Sequence, residues 1–160
     1  MVTSRIVATG AGIPSQVITN DDLAQIMDTS DEWIRQRTGI GERHISGGED
    51  LSYYTTKAAR QIIERAGIAP EDIDLIVVAT VTADYCTPSA ACMVQKEIGA
   101  VNAVAFDVTA ACSGFLYGVS VADKFIRCGV YKNALVIGGE ILSKIVDWQD
   151  RSTCVLFGDG

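Results

Sequence analysis

An α/β fold, with buried strands alternating with helices, is what this sequence predicts. Three observations carry the prediction. The segment Asp74-Leu75-Ile76-Val77-Val78-Ala79-Thr80 is continuously apolar over the length of one strand, the mark of a strand covered on both faces. Val104-Ala105-Phe106-Asp107-Val108 and Ala134-Leu135-Val136-Ile137-Gly138 repeat that type. Helical patterns fill the intervals, and they close at Gly67, Gly99 and Gly129, where a helix needs a residue tolerant of the left-handed conformation.

In chain order, Arg5 to Ile13 reads as a first strand, rich in small and branched residues and ended by Gly12 and Pro14. Thr19-Asn20-Asp21 is an N-cap cluster, with a short helix from Asp22 to Met27. Thr29-Ser30-Asp31-Glu32 has the capping-box spacing, Thr at the cap and Glu three later. The helix it opens sets Trp33 and Arg37 at i and i+4 on one face and stops at Gly39. Gly47-Gly48 marks a loop before an amphipathic helix from Leu51 to Ala66. Thr87-Pro88 reads as the start of the next helix, Thr as cap and Pro at the first position. Thr153-Cys154-Val155-Leu156-Phe157 reads as one more strand, followed by Gly158-Asp159-Gly160. An apolar strand running straight into a turn at the last residue reads as a chain cut in mid-fold.

The chain of 160 residues suits one domain with a real core, and 48% hydrophobic content agrees. A net charge of −7 argues against nucleic acid as a partner. The five cysteines, Cys86, Cys92, Cys112, Cys128 and Cys154, form no C-x-x-C pair, and His44 is the single histidine, so no zinc-ligand pattern exists and no metal is expected. Reduced thiols in a cytoplasmic protein fit this usage. The N-terminus lacks a long apolar segment, so neither a signal peptide nor a membrane span is expected.

One stretch carries chemistry. Thr109-Ala110-Ala111-Cys112-Ser113-Gly114-Phe115 joins the strand at Val104 to a helix whose pattern puts Leu116, Val119, Ala122, Phe125 and Ile126 on one face. Cys112 therefore sits where a strand turns into a helix, among small residues that let the backbone turn tightly. The first N–H groups of a helix lack intrahelical partners and carry partial positive charge. A thiol there ionises more easily than one at the ordinary pKa of about 8.5, and the thiolate is the nucleophile. The other reading of Cys112 is a small, inert core residue. Cys92, Cys128 and Cys154 read as core residues of that kind. His44, in Arg43-His44-Ile45 beside loop glycines, could form a dyad with a cysteine.

With these segments in hand, the sequence resembles β-ketoacyl-acyl carrier protein synthase III, the initiating condensing enzymes of bacterial fatty-acid synthesis. The resemblance spans the chain. It rests on Asp28-Thr29-Ser30-Asp31-Glu32-Trp33-Ile34, Arg37-Thr38-Gly39-Ile40, Pro88-Ser89-Ala90-Ala91-Cys92, Ala105-Phe106-Asp107, Ala110-Ala111-Cys112-Ser113-Gly114-Phe115, Asp150-Arg151-Ser152-Thr153 and Phe157-Gly158-Asp159-Gly160, in that order. It implies a thiolase-like fold, two similar halves in a five-layered sandwich. Residues 1–160 match the N-terminal half, a layered α-β-α unit with a mixed five-stranded sheet; the C-terminal half is absent from this chain.

The resemblance also implies a chemistry. Cys112 corresponds to the Cys of a Cys-His-Asn triad whose His and Asn lie in the other half. An acyl-CoA would acylate Cys112, and malonyl-acyl carrier protein would then be decarboxylated and condensed with the acyl group. Trp33 and Arg151 match the residues that sandwich the adenine of CoA, with Thr29 and Arg37 nearby. Without the resemblance, Trp33 reads as a half-buried helix residue and the arginines as surface ion-pair partners. Thr87 matches a position at the acyl pocket, reached across a homodimer interface, and Phe157 is a further pocket candidate. Asp107 reads as structural. No permanently bound cofactor is implied; acyl-CoA is a substrate. The partners implied are acyl-CoA, malonyl-acyl carrier protein, a second copy of the chain and the missing half. The isolated chain is expected to be inactive. The alternatives are another thiolase-fold CoA enzyme, such as a 3-hydroxy-3-methylglutaryl-CoA synthase or a polyketide-type synthase, or a non-catalytic half that only binds CoA.

Overall fold

A computed structural model describes residues 3–160. Its elements, in order, are β1 (Gln16–Thr19), α1 (Asn20–Ala24), α2 (Asp31–Thr38), β2 (Glu42–Ile45), α3 (Leu51–Ala66), β3 (Leu75–Ala79), α4 (Ala90–Ile98), β4 (Val104–Val108), α5 (Gly114–Arg127) and β5 (Ala134–Gly138). The central sheet has the order β4-β3-β5 and is parallel throughout, with Leu75 opposite Val104 and Ala134. β1 and β2 form a separate antiparallel pair.

The strands of the central sheet form where the apolar runs predict them. β3 is buried at all five positions because helices cover both faces. Ile76 and Val78 of β3, with Leu135 and Ile137 of β5, face α3 and α4 and join Leu51, Tyr54, Ala91 and Val94 in the main core. Leu75 and Val77, with Phe106 and Val136, face α5. The layered α-β-α order is thus as expected.

Two expected strands are not formed, so the central sheet has three parallel strands where a mixed sheet of five was predicted. Residues 5–13 form no strand and pair with none of the described strands. They are tied to α3 instead: Gln61 Nε2 donates to Ala11 O (2.9 Å) and Arg65 to Thr9 O (2.5 Å). Gly12 permits this approach, since a Cβ there would lie 2.1 Å from Tyr54 O. A cavity of about 830 Å³ separates the segment from β5. Residues 153–156 wind in turns and 157 is irregular, with Cys154 N donating to Asp150 O and Leu156 N to Thr153 O. Their apolar character fills a satellite core of Cys154, Val155, Leu23 and Ile34 rather than a sheet.

Helix ends follow their capping chemistry, with two shifts. Gly39, Gly67 and Gly99 all adopt positive φ at helix C-termini, as predicted. The N-cap of α2 is Ser30, whose hydroxyl accepts from Trp33 N, one residue beyond the expected Thr29. α4 starts at Ala90 with Ser89 as its cap, so Thr87 does not cap it; the Thr87–Pro88 bond is cis and lies in the preceding loop.

α5 presents its small side to the sheet. Gly114, Gly118 and Ala122, spaced four apart, are its buried residues. A Cβ on Gly118 would come within 3.0 Å of Val136 and 3.2 Å of Val77. The large apolar residues expected inside point outward: Leu116 is 68% exposed, and Val119 and Phe125 are exposed as well.

Candidate functional site

The C-terminal ends of parallel strands are where α/β folds present loops to ligands. Here β4 ends at Val108 and leads through Thr109 and Ala110 into a 3-10 turn, Ala111–Ser113, before α5. Ala111 has φ 44°, a left-handed conformation that non-glycine residues adopt at a cost of about 1–3 kcal/mol. The turn is therefore sharp, and it leaves Cys112 exposed, two residues ahead of the first residue of α5. Within this chain Cys112 is not part of the packed core.

The other cysteines differ. Cys154 is fully buried, and burial pushes its thiol pKa up, with Asp150 adding to the effect. Cys92 is partly buried, with its Sγ 3.8 Å from Ala105 O. Cys128, expected in the core, is exposed at the C-cap of α5. All five cysteines are free thiols. His44 meets the backbone: its Nδ1 lies 2.7 Å from Pro14 O, and since a carbonyl only accepts, Nδ1 carries the proton.

A second cluster lies at α2. Trp33 is half-buried, with the Arg37 guanidinium 4.3 Å from its ring centre and that of Arg151 at 4.9 Å. The i,i+4 spacing on α2 places Arg37. Arg151 reaches in from the turn-rich 147–157 segment, donating to Asp28 O (2.6 Å) with the Asp28 carboxylate 3.8 Å away. Thr29 lies just before the cap of α2, and its hydroxyl oxygen is buried without a hydrogen-bond partner. The structure thus brings Trp33, Arg37 and Arg151 together: an indole plane, two guanidinium groups suited to phosphate or stacking, and a free hydroxyl in the adjoining turn. Thr87 and Phe157 are both exposed.

Carboxylates that spacing does not reveal hold these loops. Asp107, on β4, accepts from Ala90 N and Ala91 N at 2.8 Å each, so it caps α4 and has the structural role expected of it. Asp159 accepts from Ser46 N, Ser143 N and Ser143 Oγ, pinning the Gly-Asp-Gly turn against β2. Glu140, just after β5, and Asp84, in the loop after β3, are the other two, described below. Arg43 is buried at the base of the antiparallel pair, donating to Ile18 O, Asn20 Oδ1 and Val155 O; burial lowers its pKa, and nearby Cys154 works the other way. Among the described residues, no group of three or more His, Cys, Asp or Glu could hold a metal ion. No helix among them is long and apolar enough to cross a membrane.

An exposed thiol at a strand-to-helix turn, within a thiolase-like α/β half, defines the class. The solved structures similar to this chain are of that fold. 3-Oxoacyl-[acyl-carrier-protein] synthase III from Aquifex aeolicus VF5 superposes with a TM-score of 0.95 at 53% identity, over 97% of this chain and 50% of that one. The priming β-ketosynthase of the R1128 polyketide pathway gives 0.96 at 36%, over 99% and 48%. The family model described as 3-oxoacyl-[acyl-carrier-protein (ACP)] synthase III matches residues 106–160. The β-ketoacyl-[acyl-carrier-protein] synthase III of Clostridium tetani is 58% identical over 156 residues, 98% of this chain and 47% of that protein. The chain is thus similar to one half of the synthase III proteins. It spans about half the length of the relatives it matches.

Proposed function

We propose that this chain is the nucleophile-bearing half of an initiating condensing enzyme of type II fatty-acid synthesis. The observation that supports this best is Cys112, exposed on a sharp turn between β4 and α5. In this reading the Cys112 thiolate attacks the carbonyl carbon of an acyl-CoA thioester, and the CoA thiolate leaves. Malonyl-acyl carrier protein then loses carbon dioxide. The resulting carbanion attacks the acyl-Cys112 carbonyl, Cys112 departs as thiolate, and 3-oxoacyl-acyl carrier protein is formed. The Cys112 N–H serves as one oxyanion donor. The His and Asn that complete the triad, and the second oxyanion donor, come from the C-terminal half, so the 160-residue chain by itself is inactive.

Trp33 and Arg151 bind CoA in this reading, by stacking and by pairing with phosphate, and Arg37 and Thr29 support them. The nearness of Arg151 to the Trp33 face supports the assignment, and a purine stacks there once the guanidinium moves off the ring. Thr87 and Phe157 line the acyl pocket of a homodimer, and Thr87, smaller than the Phe found there in some family members, admits primers longer than acetyl. The protein works in the cytoplasm with acyl-CoA and malonyl-acyl carrier protein. A priming role in polyketide synthesis is the second reading, favoured by the TM-score of 0.96 to the R1128 enzyme.

The test is intact mass after incubation with acetyl-CoA, using the complete protein with both halves. One acetyl adduct is expected on the wild type and none on Cys112→Ser. Equal labelling of Cys112→Ser would remove Cys112 from the chemistry. Iodoacetamide at pH 8 is expected to modify Cys112 and leave Cys154, which burial protects, untouched.

A further inference from the structure

The loop of residues 80–89, between β3 and α4, carries Thr87, and its position is set by carboxylates at its root, middle and end. At the root, Glu140 accepts from Thr80 Oγ1 (3.1 Å), Val81 N (2.9 Å) and Thr82 Oγ1 (2.5 Å). Thr82 Oγ1 in turn accepts from Ile141 N (2.8 Å), which closes the clasp against the end of β5. At the end, Ser89 and Asp107 hold the first turn of α4.

The middle clasp is the unusual one. α3 has Asp50 at its N-cap, but Asp50 makes no capping bond. Its carboxylate pairs with Lys144 at 2.9 Å instead. Asp84, from the distant loop, takes over the capping: its two oxygens accept from Leu51 N (2.8 Å) and Ser52 N (2.9 Å). A carboxylate on the N–H groups of a 16-residue helix makes charge-assisted bonds to donors that have no intrahelical partner. Between Asp84 and Ser89 lie only Tyr85, Cys86, Thr87 and Pro88, all exposed. Within this chain the tip packs little of its own surface, so its fastened ends set where it leaves the body of the protein.

We propose that Asp84 is a positioning residue for acyl-chain choice, holding the Thr87 tip at a fixed distance from the body of the protein through α3, with Glu140 fixing the root. The proposal rests on the reading of Thr87 as a pocket wall. Without the Asp84 bonds the tip can retreat, and a longer acyl chain gains room that a short one does not use.

The experiment compares kcat/KM for acetyl-, butyryl- and octanoyl-CoA in the complete protein. Its variants are Asp84→Ala, Asp84→Asn and Thr87→Phe, with Thr19→Ala, which uncaps the remote α1, as a control. Asp84→Ala is expected to raise the octanoyl-to-acetyl ratio about five-fold or more. Asp84→Asn keeps one oxygen acceptor and should fall between, and it carries the comparison if the alanine variant does not fold. The Kd of free CoA should stay within about two-fold of wild type, and Thr19→Ala should leave the ratio alone. An equal fall in kcat/KM for all three donors would show a merely structural cap and overturn the proposal. Thr87→Phe separates the two readings. If it leaves the ratio unmoved, the pocket-wall reading falls and takes this proposal with it. If it lowers the ratio while neither Asp84 variant raises it, only the proposal falls.

Discussion

On one face of the central sheet, Ile76, Val78, Leu135 and Ile137 lie beneath α3 and α4, which meet them with Leu51, Tyr54, Val94 and Ile98 among alanines. On the other, Leu75, Val77 and Val136 lie beneath α5, which meets them with Gly114, Gly118 and Ala122. The first arrangement leaves the outer sides of its helices polar: Lys57, Arg60, Glu64 and Glu97 line the groove between them. The second lets α5 sit close to the sheet and turns its bulk outward, with Phe115, Leu116 and Tyr117 all about half exposed or more. A helix apolar on both sides is a helix meant to be covered twice. In the half-enzyme reading proposed above, α5, the helix carrying the candidate nucleophile at its start, is a middle layer and not an outer one. That agrees with a chain spanning about half the length of its relatives.

The difference between the faces can be broken most sharply in the main core. Ile76 is fully buried under α3 and α4. Ile76→Ala should destabilise the chain by about 2–5 kcal/mol, through lost transfer energy and the cavity left behind. Urea denaturation measures it. A loss below about 1 kcal/mol would mean that the face collapses around the gap and is less firmly packed than its burial implies.

Gly118 tests the other face. The nearest atoms to a Cβ there are Val136 Cγ1 and Val77 Cγ1, branched side chains anchored in strands and unable to swing away. Gly118→Leu should therefore cost about 1–3 kcal/mol by lifting α5 from the sheet, although leucine favours helix more than glycine does. The same variant should disturb the 3-10 turn at Cys112, and faster or slower alkylation of Cys112 would report it. An unchanged or higher stability would show that α5 does not need its close approach.

How much of this was legible in the sequence divides along the same line. β3, β4 and β5 were readable because a strand buried on both faces writes itself as an unbroken apolar run. α3 and α4 were readable because one apolar stripe and one capping glycine locate each. Residues 153–157 carry the same kind of run but fill a satellite core, and apolarity alone does not distinguish the two. Residues 5–13 look like a strand, yet pairing depends on what lies alongside, which no local pattern contains. On α5 the periodicity located the helix but only Ala122 of the expected stripe faces the sheet, beside Gly114 and Gly118, while Leu116, Val119 and Phe125 face out. At the candidate site, the i,i+4 pair Trp33 and Arg37 was visible, whereas Arg151 entered only through the family resemblance. Asp84 and Glu140 had no signal at all. Their partners are backbone N–H and hydroxyl groups more than thirty and fifty residues away in sequence, respectively.

The smallest effect is expected on the outer side of α5, and its size should depend on context. Leu116 is 68% exposed in this chain. Leu116→Lys removes no packed contact, so the stability of the 160-residue chain should change by no more than about 0.5 kcal/mol. Its self-association should fall, because the side chain lies in a patch with Phe115 and Tyr117 of the kind monomers seldom leave bare. Sedimentation velocity of the isolated chain, wild type and variant, reads that change. In the half-enzyme reading, the same side chain lies beneath a second half in the complete protein, where a lysine loses its water and finds apolar neighbours. The cost there should rise to about 2 kcal/mol or more. The contrast between the two contexts is the measurement, because a purely local effect of lysine on the helix would be the same in both. Equal changes in stability with and without the second half would show that this side of α5 stays open in the complete protein, and the middle-layer reading of α5 would have to be abandoned.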